Sequence, residues 1–219
     1  FDTAIAKYKK LYAETPDSAN VITMIANSFI QKEVTDSALV WLKKAASINT
    51  EDDALASQIA SIYFNKQNFE EAANWYEKAT DIDPEDPNHQ YNLAICYTNA
   101  GMEEEAFEAY MKVVEMLPDD IDAILMANNL AIRLNKTEKS VELLKKAIEL
   151  EPDNIDFLSM LSYQLYQKED YEGVLDYAKR WFDADNNAKE AVQLLYQSAR
   201  KTNNPELTKK YEEIYRTFE

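Results

Sequence analysis

Small residues recur along the chain at intervals of 34. Ala4, Ala38, Ala72 and Ala106 form one column, continued by Ser140 and Val174, and Ala26, Ala60, Ala94, Asn128 and Ser162 form a second. Larger apolar residues keep a fixed offset from both. Phe29, Tyr63, Tyr97 and Leu165 follow the second column by three residues, while Tyr8, Leu42, Tyr76, Tyr110 and Leu144 follow the first by four. Such offsets place side chains one turn apart on the same face of an α-helix. Ile25, Ile59, Leu93, Leu161 and Leu195 complete that face. Two helices of a hairpin approach closely only where a side chain is nearly absent, so the small columns mark the crossing points. The pattern predicts two antiparallel helices in every 34 residues, with hairpin turns near residues 33–35, 66–68, 101, 135–137, 168–170 and 202–205. Pro16, Pro84, Pro118 and Pro152 share one phase, with Thr50 and Asn186 between them, and set a second turn at the end of each copy. Gly101 is expected in left-handed backbone at its hairpin turn, where glycine costs least.

Composition narrows this to an all-α chain. Two glycines and six prolines in 219 residues are too few for the tight turns of a sheet protein, and 46% hydrophobic residues suffice for a continuous core. The 40 acidic residues outnumber 23 basic ones, and the resulting net charge of -17 repels phosphate backbones and anionic lipid. Nucleic acid and membrane surfaces are therefore set aside as partners. No apolar run approaches the roughly 18 residues of a spanning helix. The single cysteine, Cys96, rules out an internal disulfide framework and is compatible with cytoplasm, periplasm or exterior, which leaves the compartment open. The chain opens with Phe1 in place of Met, so the natural N-terminus is expected to be missing, with a signal peptide or lipid anchor left open.

The stretch from Asn88 to Pro118, with Leu93, Ala94, Tyr97, Gly101, Ala106, Tyr110 and Pro118 in place, carries a resemblance to the tetratricopeptide repeat family that extends over essentially the whole chain. The resemblance implies a right-handed superhelical solenoid of antiparallel helix pairs, about six and a half repeats long, in one array over residues 1–219. It divides into a half repeat at 1–18, full repeats at 19–52, 53–86, 87–120, 121–154 and 155–188, and a last copy at 189–219. With one residue deleted in its turn, that last copy puts Leu207, Tyr211 and Ile214 in the packing places. Ala127, Asn128 and Ala131 make one helix unusually thin, and Trp181 stands in a column otherwise small or aliphatic, so a locally altered superhelix is expected there. Ile5, Tyr8 and Leu11 at one end, and Tyr215 and Phe218 at the other, lack a covering helix, which opens a route to homo-oligomers through the ends.

Catalytic chemistry is hard to place on these residues. His89 is the only histidine and starts a helix, where surface packing or helix-end solvation accounts for it. Cys96 shares a column with Ser28, Ile62, Leu130 and Ser198 and is read as a packing residue. Asp81, Asp83, Glu85 and Asp86 coincide with a turn between repeats and lack the glycine and terminal glutamate of a calcium loop, so they are read as helix-start acids. No phosphate loop, nucleophile elbow or zinc-type cysteine pair occurs. The expectation is no catalytic site, no metal and no cofactor.

In the family the first helix of each repeat lines a concave groove. The helical period assigns that face Asn27, Phe64, Tyr91, Ile95, Leu125, Asn129, Ile132, Tyr163 and Tyr166, among neighbouring amides and hydroxyls such as Asn20, Thr23, Ser57, Ser61, Gln193 and Gln197. Amides both donate to and accept from a peptide main chain, and the apolar groups together make a patch of the kind that marks a binding site. The alternative is an ordinary solvated face with stray hydrophobes. Some relatives grip a terminal carboxylate with Lys and Asn; here Thr23 and Leu125 stand where the Lys is needed, so that clamp is expected to be absent. The reading is a noncatalytic scaffold or adaptor that binds a peptide segment of a protein partner. The alternatives are a structural self-assembly module and the substrate-presenting arm of a larger enzyme. Neither partner, pathway nor organism is legible.

Overall fold

A computed structural model describes residues 1–218. Thirteen α-helices run in order: α1 Asp2–Glu14, α2 Ala19–Gln31, α3 Thr35–Ile48, α4 Asp53–Asn65, α5 Phe69–Ile82, α6 Pro87–Ala100, α7 Glu103–Met116, α8 Ile121–Arg133, α9 Thr137–Leu150, α10 Ile155–Gln167, α11 Tyr171–Ala184, α12 Lys189–Lys201 and α13 Pro205–Tyr215. A single 3-10 turn, Arg216–Phe218, follows. Among the described residues there is no strand. The even-numbered helices open the hairpins and begin at Ala19, Asp53, Pro87, Ile121, Ile155 and Lys189, a spacing of 34 residues.

Both ends of these helices are written into the repeat. Ahead of α2, α4, α6, α8 and α10 stand Ser18, Asp52, Asp86, Asp120 and Asn154, whose side chains accept from a backbone N–H in the first turn. Each supplies one of the partners that a helix start lacks. The other ends close on a left-handed residue at one phase: Glu33, Gln67, Gly101, Asn135, Glu169 and Asn203 all have positive φ, from 54° to 76°. In every case the N–H of the next residue reaches back to a carbonyl in the last helical turn, as Val34 does to Phe29 at 2.9 Å and Met102 to Tyr97 at 2.9 Å. This double closure satisfies carbonyls that would otherwise be orphaned. Gly101 takes the expected left-handed turn, and five residues with side chains take it too.

Two compact units result, Phe1–Leu117 and the remainder from Pro118. In the first, each helix from α1 to α7 packs on its sequence neighbours. Its core holds Ile22, Ile25, Leu42 and Ile59 fully buried, with Ala26, Ala38, Ala60 and Ala72 at the close approaches. In the second, α8 to α13 pack in the same sequential order, and α10 also touches α12. Ile124, Leu144, Leu158, Leu161, Val174, Val192 and Leu195 fill its interior. The crossing point inferred from the small columns is directly visible there, because Ser140 of α9 donates to the Asn128 side-chain oxygen of α8 at 2.7 Å, both fully buried. Trp181 is accommodated in its small column by packing inward at 7% exposure, its ring 6.0 Å from that of Tyr163.

Candidate functional site

In the first unit, α2, α4 and α6 carry the residues assigned to the binding face. A depression of about 590 Å³ lies between α2 and α4, lined by Asn20, Thr23, Met24 and Asn27 on one side and by Ser57, Gln58 and Ser61 on the other. Asn27 is exposed, and its side-chain oxygen accepts from Gln58 at 3.0 Å, which holds one amide oriented by another. Phe64 at the end of α4 is half-buried and packs edge-to-face on Phe69 of α5, with ring centres 5.3 Å apart. Tyr91 of α6 is likewise half-buried, edge-on to Tyr110 of α7 at 5.7 Å, with Ile95 one turn further along.

The second unit repeats the arrangement. Leu125, Asn129 and Ile132 line one side of α8, Leu125 half-buried and the other two exposed. Tyr163 of α10 is 44% exposed and leans on Trp181, while Tyr166 packs edge-to-face on Tyr171 of α11 at 5.6 Å. Tyr166 and Tyr171 stand three repeats along from Phe64 and Phe69, so the same aromatic pair recurs at one structural position. A smaller hollow of about 270 Å³ is lined by Tyr166, Gln197, Arg200 and Lys201. Burial, together with the Glu190 carboxylate, holds the Tyr163 phenol above its ordinary value.

Two exposed methionines on this face were not assigned from the sequence: Met24, 46% exposed and lining the first depression, and Met126, 42% exposed beside Leu125. Each lies one residue beyond a position that the helical period does assign, so a wider arc around the helix axis would have included them. Thioethers on flexible stems adapt to varied apolar ligands.

The residues with chemical potential are engaged elsewhere. His89 is not a surface residue: it is buried in a column whose other members are Val21, Leu55, Ala123, Phe157 and Ala191, with its Nε2 2.9 Å from an Asp53 carboxylate oxygen and 3.6 Å from Asp86. Cys96 is fully buried, and burial pushes its thiol up to about 12, away from nucleophilic reactivity. The Asn88 N–H donates to Asp86 at 2.8 Å and, as the largest influence, keeps that carboxyl below its usual range. Among the described residues no group of acids, histidines and cysteines is gathered to hold a metal, and no helix is long and apolar enough to cross a membrane.

A family model described as TPR repeat matches residues 60–101, and one described as Tetratricopeptide repeat matches residues 90–120 and 124–154. No curated protein matches the chain in sequence. Among solved structures, YrrB, described as a TPR protein with an unusual peptide-binding site, is 18% identical with a TM-score of 0.60, over 85% of this chain and 96% of that one. MamA is 22% identical with a TM-score of 0.56, over 69% and 88% of the two chains. MamA from Desulfovibrio magneticus RS-1 is 18% identical with a TM-score of 0.53, over 78% and 96%. At these identities the likeness is one of fold.

Proposed function

From the premise that this chain is a tetratricopeptide repeat protein, we propose that it is a noncatalytic scaffold whose first helices bind a peptide segment of a protein partner. The observation that carries this reading is the state of the aromatic groups on those helices. Phe64, Tyr91, Tyr163 and Tyr166 are each partly open to solvent and each braced by a ring from the following helix. An anchor already fixed in its bound orientation loses little side-chain freedom when a ligand covers it. Beside the anchors, Asn27 and Gln58 in the first unit and Asn129 and Gln197 in the second offer amides that pair with the main chain of an extended or helical peptide. Exposed Met24, Met126 and Ile132 enlarge the apolar share of the face. YrrB, of similar fold, is itself described as having a peptide-binding site.

Selection from a library of displayed random peptides, followed by affinity measurement on the best binder, tests the proposal. Tyr163→Ala and Tyr91→Ala are each expected to weaken binding at least tenfold, since desolvated aromatic anchors commonly contribute about 2 kcal/mol or more. Raising salt from low to physiological strength is expected to change affinity much less, because exposed charge pairs are worth roughly 0–1 kcal/mol. Binding indifferent to both substitutions, in variants that keep their helicity, places the partner elsewhere on the molecule.

A further inference from the structure

On the side of the first unit formed by its second helices, a cation and two aromatic rings recur with the repeat. Lys9 stands 5.4 Å over the Phe29 ring and 5.9 Å over Trp41. One repeat on, Lys43 stands 5.0 Å over Tyr63 and 5.9 Å over Trp75, and Lys78 lies 3.9 Å over the same indole. The next register breaks the series. Tyr97 keeps the ring, but Glu77 takes the place of Lys9 and Lys43, and Ala109 takes the place of Trp41 and Trp75. In the preceding register the corresponding cleft, lined by Lys43, Ala56, Trp75 and Lys78, measures about 450 Å³; here, where Ala109 replaces the indole, it widens to about 580 Å³ between α5 and α7, floored by α6.

The charge of that cleft is reversed as well. Glu77, Asp81, Glu105 and Glu108 line it, with Lys112 as its one basic residue. The Tyr97 hydroxyl donates to Glu77 and fixes that carboxylate beside the ring. Gln90 supplies an independent sign of a missing occupant. Its column is otherwise Ile22, Ala56, Ile124, Leu158 and Val192, yet here a primary amide lines the cleft in a residue only 7% exposed. Its side-chain amide makes no hydrogen bond to a described residue, and its polar atoms are not sealed from solvent. Reached only from the cleft, the amide is left to water, and a ligand that pairs with it takes that water's place.

We propose that the cleft between α5 and α7 is a binding site for an arginine side chain presented by a protein partner. The two preceding registers show that this space suits a cation lying over an aromatic ring; the third keeps Lys112 in the place of Lys78 but puts Glu77 in the place of Lys9 and Lys43 and adds further acceptors around it. A guanidinium matches what is left. It stacks flat on Tyr97, takes up part of the area vacated by the indole, and directs its fork of N–H donors to Glu77, Glu105 and the Gln90 side-chain oxygen. The net charge of -17 draws basic segments toward the molecule in general, and the cleft adds shape and hydrogen bonding at one point. The site uses faces of α6 other than the one bearing Tyr91 and Ile95, so it stands or falls independently of the peptide face proposed above.

The probe is the blocked pentapeptide Ala-Ala-Arg-Ala-Ala, titrated into the 15N-labelled full chain at physiological salt, with norleucine in place of arginine as the control. Saturable shifts of the Gln90 side-chain NH2 and of the Tyr97 amide are expected with arginine and not with norleucine. Ala109→Trp, which rebuilds the neighbouring register, is expected to weaken the response at least tenfold, and Gln90→Ala, which installs the residue of the preceding repeat, to weaken it severalfold. Circular dichroism establishes that each variant is folded. If Ala109→Trp does not fold, Glu77→Lys at its exposed position decides, since an internal cation there must also abolish the response. Shifts spread over the acidic surface without saturation, or an unmoved Gln90, or a response that survives these substitutions, overturns the proposal.

Discussion

At the scale of single residues, the left-handed turn position is the most exacting feature of this chain. An L side chain in that region costs about 1–2 kcal/mol, least for Asn, yet Glu33, Gln67 and Glu169 occupy it. Gly101 alone escapes the penalty, and a Cβ added there meets nothing within 4 Å. Gly101→Ala is therefore a pure backbone test, expected to lower stability by about 1 kcal/mol in urea unfolding. Gln67→Gly is expected to raise it by about 0.5–1 kcal/mol, since relief of the left-handed strain exceeds the entropy that glycine adds to the unfolded chain. Residue type alone marks this conformation only at Gly101. Glutamate and glutamine carry no turn signal, and only the 34-residue phase reveals that they share the glycine's role. His89 and Gln90 escaped for the converse reason: polar residues at a helix start read as solvated, while their columns say buried.

At the scale of helices, boundaries were legible because caps, prolines and small residues all repeat on one phase. Asp120 shows what a cap contributes: its carboxylate accepts from the Ala123 N–H at 3.0 Å. Asp120→Ala is expected to cost about 1 kcal/mol, and Asp120→Asn much less, by thermal or urea unfolding. An equal loss in both variants would assign the effect to charge instead of the hydrogen bond. The binding face was legible in outline, since one helix's periodicity suffices to say which side chains share a side. What lies beneath them was not. That Tyr91 rests on Tyr110, and Tyr163 on Trp181, depends on how two helices cross, and a single-helix pattern holds no record of the partner's rotation. The acidic cleft was hidden for a related reason, because Ala109 and Glu77 are ordinary helix residues until they are set beside Trp75 and Lys43.

At the scale of the whole molecule, three buried tyrosines tie stability to alkaline pH. Burial, as the largest influence, raises the phenols of Tyr76, Tyr110 and Tyr211 above the ordinary 10.0. The folded chain then holds protons that the unfolded chain releases, so their contribution is intact below about pH 10 and is lost as pH climbs through the folded values. Urea unfolding followed from pH 8 to 11 is expected to show a plateau and then a decline, less steep in Tyr110→Phe; a rise above pH 10 would contradict the assignment. The largely sequential packing of the helices within each unit has a consequence in time. Nearly every contact joins segments separated by one short turn, so little chain must be closed into a loop before a contact forms, and folding of this kind is fast. A hairpin has its immediate partner as soon as the next few dozen residues exist. During synthesis the helices of each unit can therefore settle in the order in which they leave the ribosome, well before the last residues are made.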